Sequence, residues 1–185
     1  MTASGETKIL HTKENVRNAL IQMLISTDID KITIKELCRI SQINRTTFYK
    51  YYGSQYDVLN EIATIYTNKT ADLLLNDLNS GRKIEDNLIA ALQFIKENAA
   101  FFNLFLNNSN TSLTSSIITT LPSFDSFIMS SMNQKLSDNE KKYLAAFVLY
   151  GSIKIIADWV LDGCTLSCKS IGSLILTASG KVIGA

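Results

Sequence analysis

The stretch ITIKELCRISQINRTTFYKYYGSQYDVL, residues 32–59, decides the fold. It reads as two short helices joined by a tight turn, then the start of a third. Thr33 stands where an N-cap belongs, because its hydroxyl can accept a bond from a free N–H of the first turn. Glu36, three residues on, completes a capping box. Ile34, Leu37 and Cys38 recur at i, i+3 and i+4, one apolar stripe. The stripe stops near Ile40, and Ser41, Gln42 and Ile43 form the connection. Asn44 is a second N-cap and opens a helix over 45–51. In it Phe48 and Tyr52 face one way, while Arg45, Thr46, Tyr49 and Lys50 face outward.

An exposed helix that begins Asn-Arg-Thr-Thr and carries Tyr and Lys holds the hydrogen-bonding and charged groups that reading DNA requires. The segment resembles the helix-turn-helix of TetR-type transcriptional regulators. The resemblance is carried by Thr33-Ile34, Leu37-Cys38, Ile43-Asn44-Arg45, Thr47-Phe48-Tyr49, Tyr51-Tyr52-Gly53-Ser54 and Val58-Leu59, about a quarter of the chain. Family members usually have Ala where Cys38 stands, Gly where Gln42 stands, and in many cases a phosphate-contacting Lys where Gln55 stands. The remainder resembles the family in length and all-helical patterning.

The resemblance implies an all-α chain of about nine helices in two domains. Residues 9–53 would bind DNA through a three-helix unit, and residues 54–179 would sense a ligand and dimerise. The implied protein is a homodimer on a palindromic operator, usually a repressor, released when a small molecule changes the spacing of its reading heads. Arg45, Thr46 and Tyr49 are the candidates for base edges; Thr33, Asn44, Thr47, Lys50 and Tyr51 are those for phosphates. The implied ligand pocket draws on the aromatic residues Phe94, Phe102, Phe105, Phe127, Phe147 and Tyr150. The implied dimer face lies on the last two long helices, with Val148, Gly151, Ile155 and Leu174. A reading of a different class is a helical adaptor that keeps the fold and acts through a protein partner; Gln42 and Gln55 favour it.

Composition bounds these readings. The 185 residues suffice for one or two small domains with a sizeable core. One proline, Pro122, suits long helices. No uninterrupted run of about 18 apolar residues occurs, so no membrane span is expected. The first residues, MTASGETKILHTKEN, lack the apolar core of a signal peptide, and the expected location is the cytoplasm. Residues 1–56 carry eight basic and five acidic side chains, a balance of +3, while the rest carries −2. A basic front on a mildly acidic body fits phosphate binding at one end.

Along the chain, residues 1–8 read as disordered, and Thr12 as the cap of a first helix ending near Ser26. A helix of about 25 residues follows Gly53-Ser54 and runs to Leu78. Next come an apolar helix with Ile84, Leu88 and Leu92, a break at Asn98, and a short helix bearing Phe101 and Phe102. Leu113 to Met132 is irregular around Pro122. Ser137 to Glu140 starts a long helix that Asp162-Gly163 stops, and Ser167 caps the last one before a frayed tail over 179–185. Cys164 and Cys168 have no histidine near them, since His11 is the only one, so no metal site or cofactor is expected. That single histidine also excludes most Ser-His and Cys-His schemes, and no Gly-rich phosphate loop follows a strand. An enzyme is therefore not expected.

Overall fold

Every regular element is helical among the residues that the computed structural model describes, 3–75, 83–107, 126, 128–132 and 135–183. They are α1 (Ala3–Leu24), a 3-10 turn (Ile29–Lys31), α2 (Ile34–Ile40), α3 (Arg45–Tyr49), α4 (Gln55–Leu75), α5 (Ile84–Glu97), α6 (Ala99–Asn107), α7 (Asp138–Leu161) and α8 (Cys168–Ile183). That agrees with the expected all-α class. The region around Pro122 lies outside the described residues.

Two compact units divide the chain at 65/66, inside α4, rather than at the turn before that helix. The physical reason is that the first half of α4 belongs to the first unit's core. Val58, Ile62 and Ala63 are buried there with Val16, Leu20, Leu37 and Phe48. Glu61 on α4 binds Lys13 Nζ at 3.0 Å, lies 3.5 Å from Arg17 Nη1, and accepts the Tyr52 hydroxyl. Ile29 and Ile32, bracketing the 3-10 turn, are buried as well.

Three boundaries differ from the sequence expectation, and the first is that α3 ends at Tyr49 rather than at 51, with Lys50 as its C-cap. Helix α1 starts at Ala3, not at Thr12, whose hydroxyl bonds back to the Lys8 carbonyl at 2.8 Å inside the helix. At the other end α8 runs through the expected frayed tail to Ile183. The break at Asn98 is where expected: α5 ends there, and the Asn98 amide bonds the Phe94 carbonyl at 2.8 Å.

In the second unit Leu88, Leu92 and Ile95 of α5 form one core with Trp159 and Val160 of α7 and Ile171 and Ile175 of α8. At Gly172 α8 packs on α5: a Cβ there would lie 3.6 Å from Ile89 and Leu92 side-chain atoms, an ordinary van der Waals contact. A second cluster joins Ile128 and Met132 to Ala145, Val148 and Leu149. Ser137 caps α7 with a complete capping box.

Helix α7 is apolar on both sides. Among the described residues it is the one helix long and apolar enough, by length and composition, to cross a bilayer, with a mean hydropathy of 1.7 over 18 residues. The sequence holds no unbroken apolar run of that length, because Ser152, Lys154 and Asp158 interrupt it. Its inner face is the core just described. Its outer face is a single stripe, Tyr143, Phe147, Tyr150 and Leu161, with the Lys154–Asp158 ion pair between the last two.

Candidate nucleic-acid interface

Helices α2 and α3 are short, so their ends govern their geometry. Thr33 Oγ1 accepts the Glu36 N–H at 3.2 Å, as an N-cap should. The return arm of the expected capping box is not made. The Glu36 carboxylate instead takes Arg39 Nη2 at 2.6 Å and Nε at 3.1 Å, which holds that carboxyl below its ordinary value. Asn44 Oδ1 accepts the Thr47 N–H at 2.7 Å and starts α3.

Between them the chain turns through Gln42 at φ +57°, where L side chains are rare. The Ile43 N–H reaches back to the Cys38 carbonyl and the Gln42 N–H to that of Arg39, a Schellman arrangement with Gln42 in the left-handed position. Ser41 is buried beside it, its hydroxyl on the Leu37 carbonyl at 2.7 Å. This turn aims α3.

Phe48 has no exposure and Tyr52 is buried, their ring centres 5.6 Å apart. These two anchors leave Arg45, Thr46, Tyr49 and Lys50 on the open side, with Thr47 and Tyr51 half-buried. Asn44 and Thr33 are exposed at the helix starts. Arg45 Nη2 donates to Tyr49 Oη at 3.4 Å, and Lys50 Nζ lies 5.7 Å from the Tyr51 ring centre. The start of α4 is closed by Asp57, whose carboxylate accepts the N–H groups of Gly53 at 2.7 Å and Ser54 at 3.1 Å. Gln55, in the position where the family often has Lys, turns to the Ile29 carbonyl at 3.5 Å.

Behind this face lies a group that patterning did not single out. Burial works to raise the Glu61 carboxyl, and the Tyr52 hydroxyl, Lys13 and Arg17 outweigh it, leaving it below its ordinary value. Burial and then Glu61 push the Tyr52 hydroxyl well above its own. Lys13 also sits 5.2 Å from the Tyr52 ring centre. Partners 9 to 48 residues apart in sequence leave no periodic signal to find them by.

In the second unit Phe94 and Phe102 join an aromatic cluster with Tyr66 and Phe101; the Tyr66 and Phe101 ring centres are 4.4 Å apart. Tyr66 was not legible as a member, and burial raises its hydroxyl. Phe127 and the side chain of Phe105 lie outside the described residues. Phe147 and Tyr150 are not gathered into the cluster: they are 67% and 56% exposed on the open stripe of α7. Of the residues expected on a dimer face, Val148 is buried in the second cluster, and Ile155 is half-buried and packs against the first. Gly151 is half-buried, and Leu174 is exposed on α8. The thiols of Cys38, Cys164 and Cys168 are buried, and Cys168 Sγ meets Gln93 Oε1 at 3.4 Å.

A helix-turn-helix on a chain whose described regular elements are all helical is the architecture of a class, the DNA-binding transcriptional regulators. A family model described as the C-terminal region of TetR transcriptional regulators matches residues 82–178, just over half of the chain. The chain belongs to the TetR family of transcriptional regulators. Comparison with curated protein sequences gives no match. Among solved structures, the TetR regulator from Streptococcus agalactiae 2603V superposes with a TM-score of 0.69 at 18% identity, covering 95% of this chain and 97% of that one. The dihydroxyacetone kinase operon activator DhaS gives 0.65 at 20% identity, over 94% and 96%. FadR of Thermus thermophilus, a TetR-family transcriptional repressor in complex with lauroyl-CoA, gives 0.54 at 14% identity, over 90% and 92%. At these identities the likeness establishes the fold.

Proposed function

We propose that the chain is a homodimeric, ligand-responsive repressor that reads a palindromic operator in the cytoplasm. The observation that carries the reading is α3 itself. Its apolar side is closed on Phe48 and Tyr52, and its open side offers Arg45, Thr46, Tyr49 and Lys50. Arg45, Thr46 and Tyr49 meet base edges; Thr33, Asn44, Thr47, Lys50 and Tyr51 meet phosphates. Asn44 spends only its carbonyl oxygen on capping, and Thr33 only an acceptor lone pair. The Asn44 amide hydrogens and the Thr33 hydroxyl proton remain free to donate to phosphate oxygens.

Dimerisation is supported by the stripe on α7. A run of exposed aromatic and aliphatic side chains on one helix face marks a contact surface, and the self-complementary cover for such a patch is a second copy about a two-fold axis. Tyr143, Phe147, Tyr150 and Leu161 would meet the small exposed residues Ser170, Ser173 and Thr177 of α8, with Leu174 among them. Phe147 and Tyr150 thus move from the pocket to the interface. The sensing site we place at Tyr66, Phe94, Phe101 and Phe102, an apolar cluster suited to an apolar ligand. The Thermus FadR, of the same fold, is in complex with lauroyl-CoA, whose acyl chain is in keeping with an apolar ligand for this fold.

The test is titration of the full chain against duplexes selected from its source genome, at several salt concentrations. Arg45→Ala should cost about 1–3 kcal/mol on the selected duplex and relax preference at one base pair per half-site. Lys50→Ala should weaken selected and random DNA alike and lower the salt slope by about one per subunit. A chain that binds no DNA at any salt concentration is an adaptor and not an operator reader. A thermal-shift screen followed by operator titration tests release by ligand.

A further inference from the structure

Arg45 and Tyr49 stand one turn apart on the open side of α3, and they touch. Arg45 Nη2 donates to Tyr49 Oη at 3.4 Å, and the guanidinium carbon lies 6.0 Å from the ring centre. The ring is itself held. It meets Phe48 edge-on, with centres 5.7 Å apart and planes at 85°, and Phe48 is fully buried. Order therefore passes from the core through Phe48 and Tyr49 to an exposed guanidinium. An unrestrained arginine samples many rotamers and loses them on binding.

The acceptor matters. Arg39, one helix earlier, is neutralised by the Glu36 carboxylate, whereas Arg45 rests on a neutral hydroxyl and keeps its full charge for DNA. The guanidinium has five N–H donors; one engaged by Tyr49 leaves four, and the O6 and N7 edge of guanine needs two. Tyr49 accepts through oxygen, so its own proton remains available to a phosphate or base acceptor.

We propose that Tyr49 is a positioning residue that holds Arg45 for a bidentate contact, and that the DNA partner carries a G·C pair under Arg45 in each half-site. This rests on α3 being the DNA-reading helix. The wild-type full chain first selects a duplex from a random pool. Binding of wild type, Tyr49→Phe, Arg45→Ala and the double variant is then measured on that duplex, its single-base-pair variants and an unrelated duplex. Tyr49→Phe keeps the ring on Phe48 and removes only the hydroxyl. It should weaken the selected duplex about fivefold, reduce discrimination at the one G·C pair that Arg45→Ala also affects, weaken the unrelated duplex less than the selected one, and cost clearly less in the Arg45→Ala background than in the wild type. The same loss in both backgrounds, a loss equal on all duplexes, or no loss would overturn the positioning role while leaving DNA reading intact. Failure of the wild type to select any duplex would overturn DNA reading, and this proposal with it.

Discussion

The helices of the first unit hide apolar residues on one side and show polar ones on the other, whereas α7 in the second unit is apolar on both. In the first unit the open faces of α2 and α3 carry Lys35, Arg39, Arg45, Thr46 and Lys50. On α7 the outward stripe carries Tyr143, 74% exposed, with Phe147 and Tyr150. The same burial force closes one unit on itself and leaves the other with a surface that water disfavours. On the reading proposed above, one face suits a charged, hydrated partner and the other a dry one.

The sharpest way to break this contrast is to place charge on the stripe. Phe147→Glu with Tyr150→Glu should turn a dimer into a monomer by light scattering, because desolvating each unpaired charge costs several kcal/mol. Thermal stability of the monomer should be otherwise retained. Val148→Glu, one position away but inside the core, should unfold the second unit instead. A double variant that stays dimeric would show the stripe to be an ordinary surface.

A smaller effect concerns how the first unit holds α4. The Glu61 carboxyl lies below its ordinary value, so its ionised form contributes stability at pH above about 4.5, and that contribution is lost as pH falls through the lowered value. Its side chain is 28% exposed, so solvent screening keeps the effect near 1 kcal/mol. Glu61→Gln should lower the unfolding midpoint at pH 7 and flatten the acid limb below about pH 5. An unchanged acid limb would assign that limb to other carboxylates.

The smallest effect comes from two turns of the same design. Helix α7 ends in a Schellman turn with Gly163 at φ +75°, and α2 ends in one with Gln42 at φ +57°. Glycine adopts this conformation freely; glutamine is strained in it. Gln42→Gly should therefore raise stability by up to about 1 kcal/mol in chemical denaturation. Gly163→Gln should lower it. Equal and opposite shifts would show that the two turns are interchangeable.

These cases show where sequence was legible. The caps at Thr33, Asn44, Ser137 and Ser167 are local: each is a side chain meeting a backbone N–H three residues on. Local order is written in local residues, so the helix-turn-helix could be read directly. The Glu36 return arm failed because Arg39, at i+3, competes for the same carboxylate. The stripe on α7 failed differently. A helix with large apolar residues on both faces gives a weak periodic signal of which side faces inward, so Val148 was indistinguishable from Phe147 and Tyr150. Glu61 gathers partners from α1 and from the segment between α3 and α4, and such long-range meetings exist only once the chain has folded.

The placement of the cysteines makes the chain its own reporter of partial unfolding. Cys38 is buried in the first unit, and Cys164 and Cys168 in the second. Burial raises the Cys38 and Cys164 thiols and so disfavours the reactive thiolate. Alkylation in rising denaturant, followed by mass mapping of the modified cysteines, should time the opening of each unit separately without any introduced label. With its own small core, the first unit should expose Cys38 at lower denaturant than the larger second unit exposes its pair. Simultaneous modification of all three would instead mark the chain as one cooperative block.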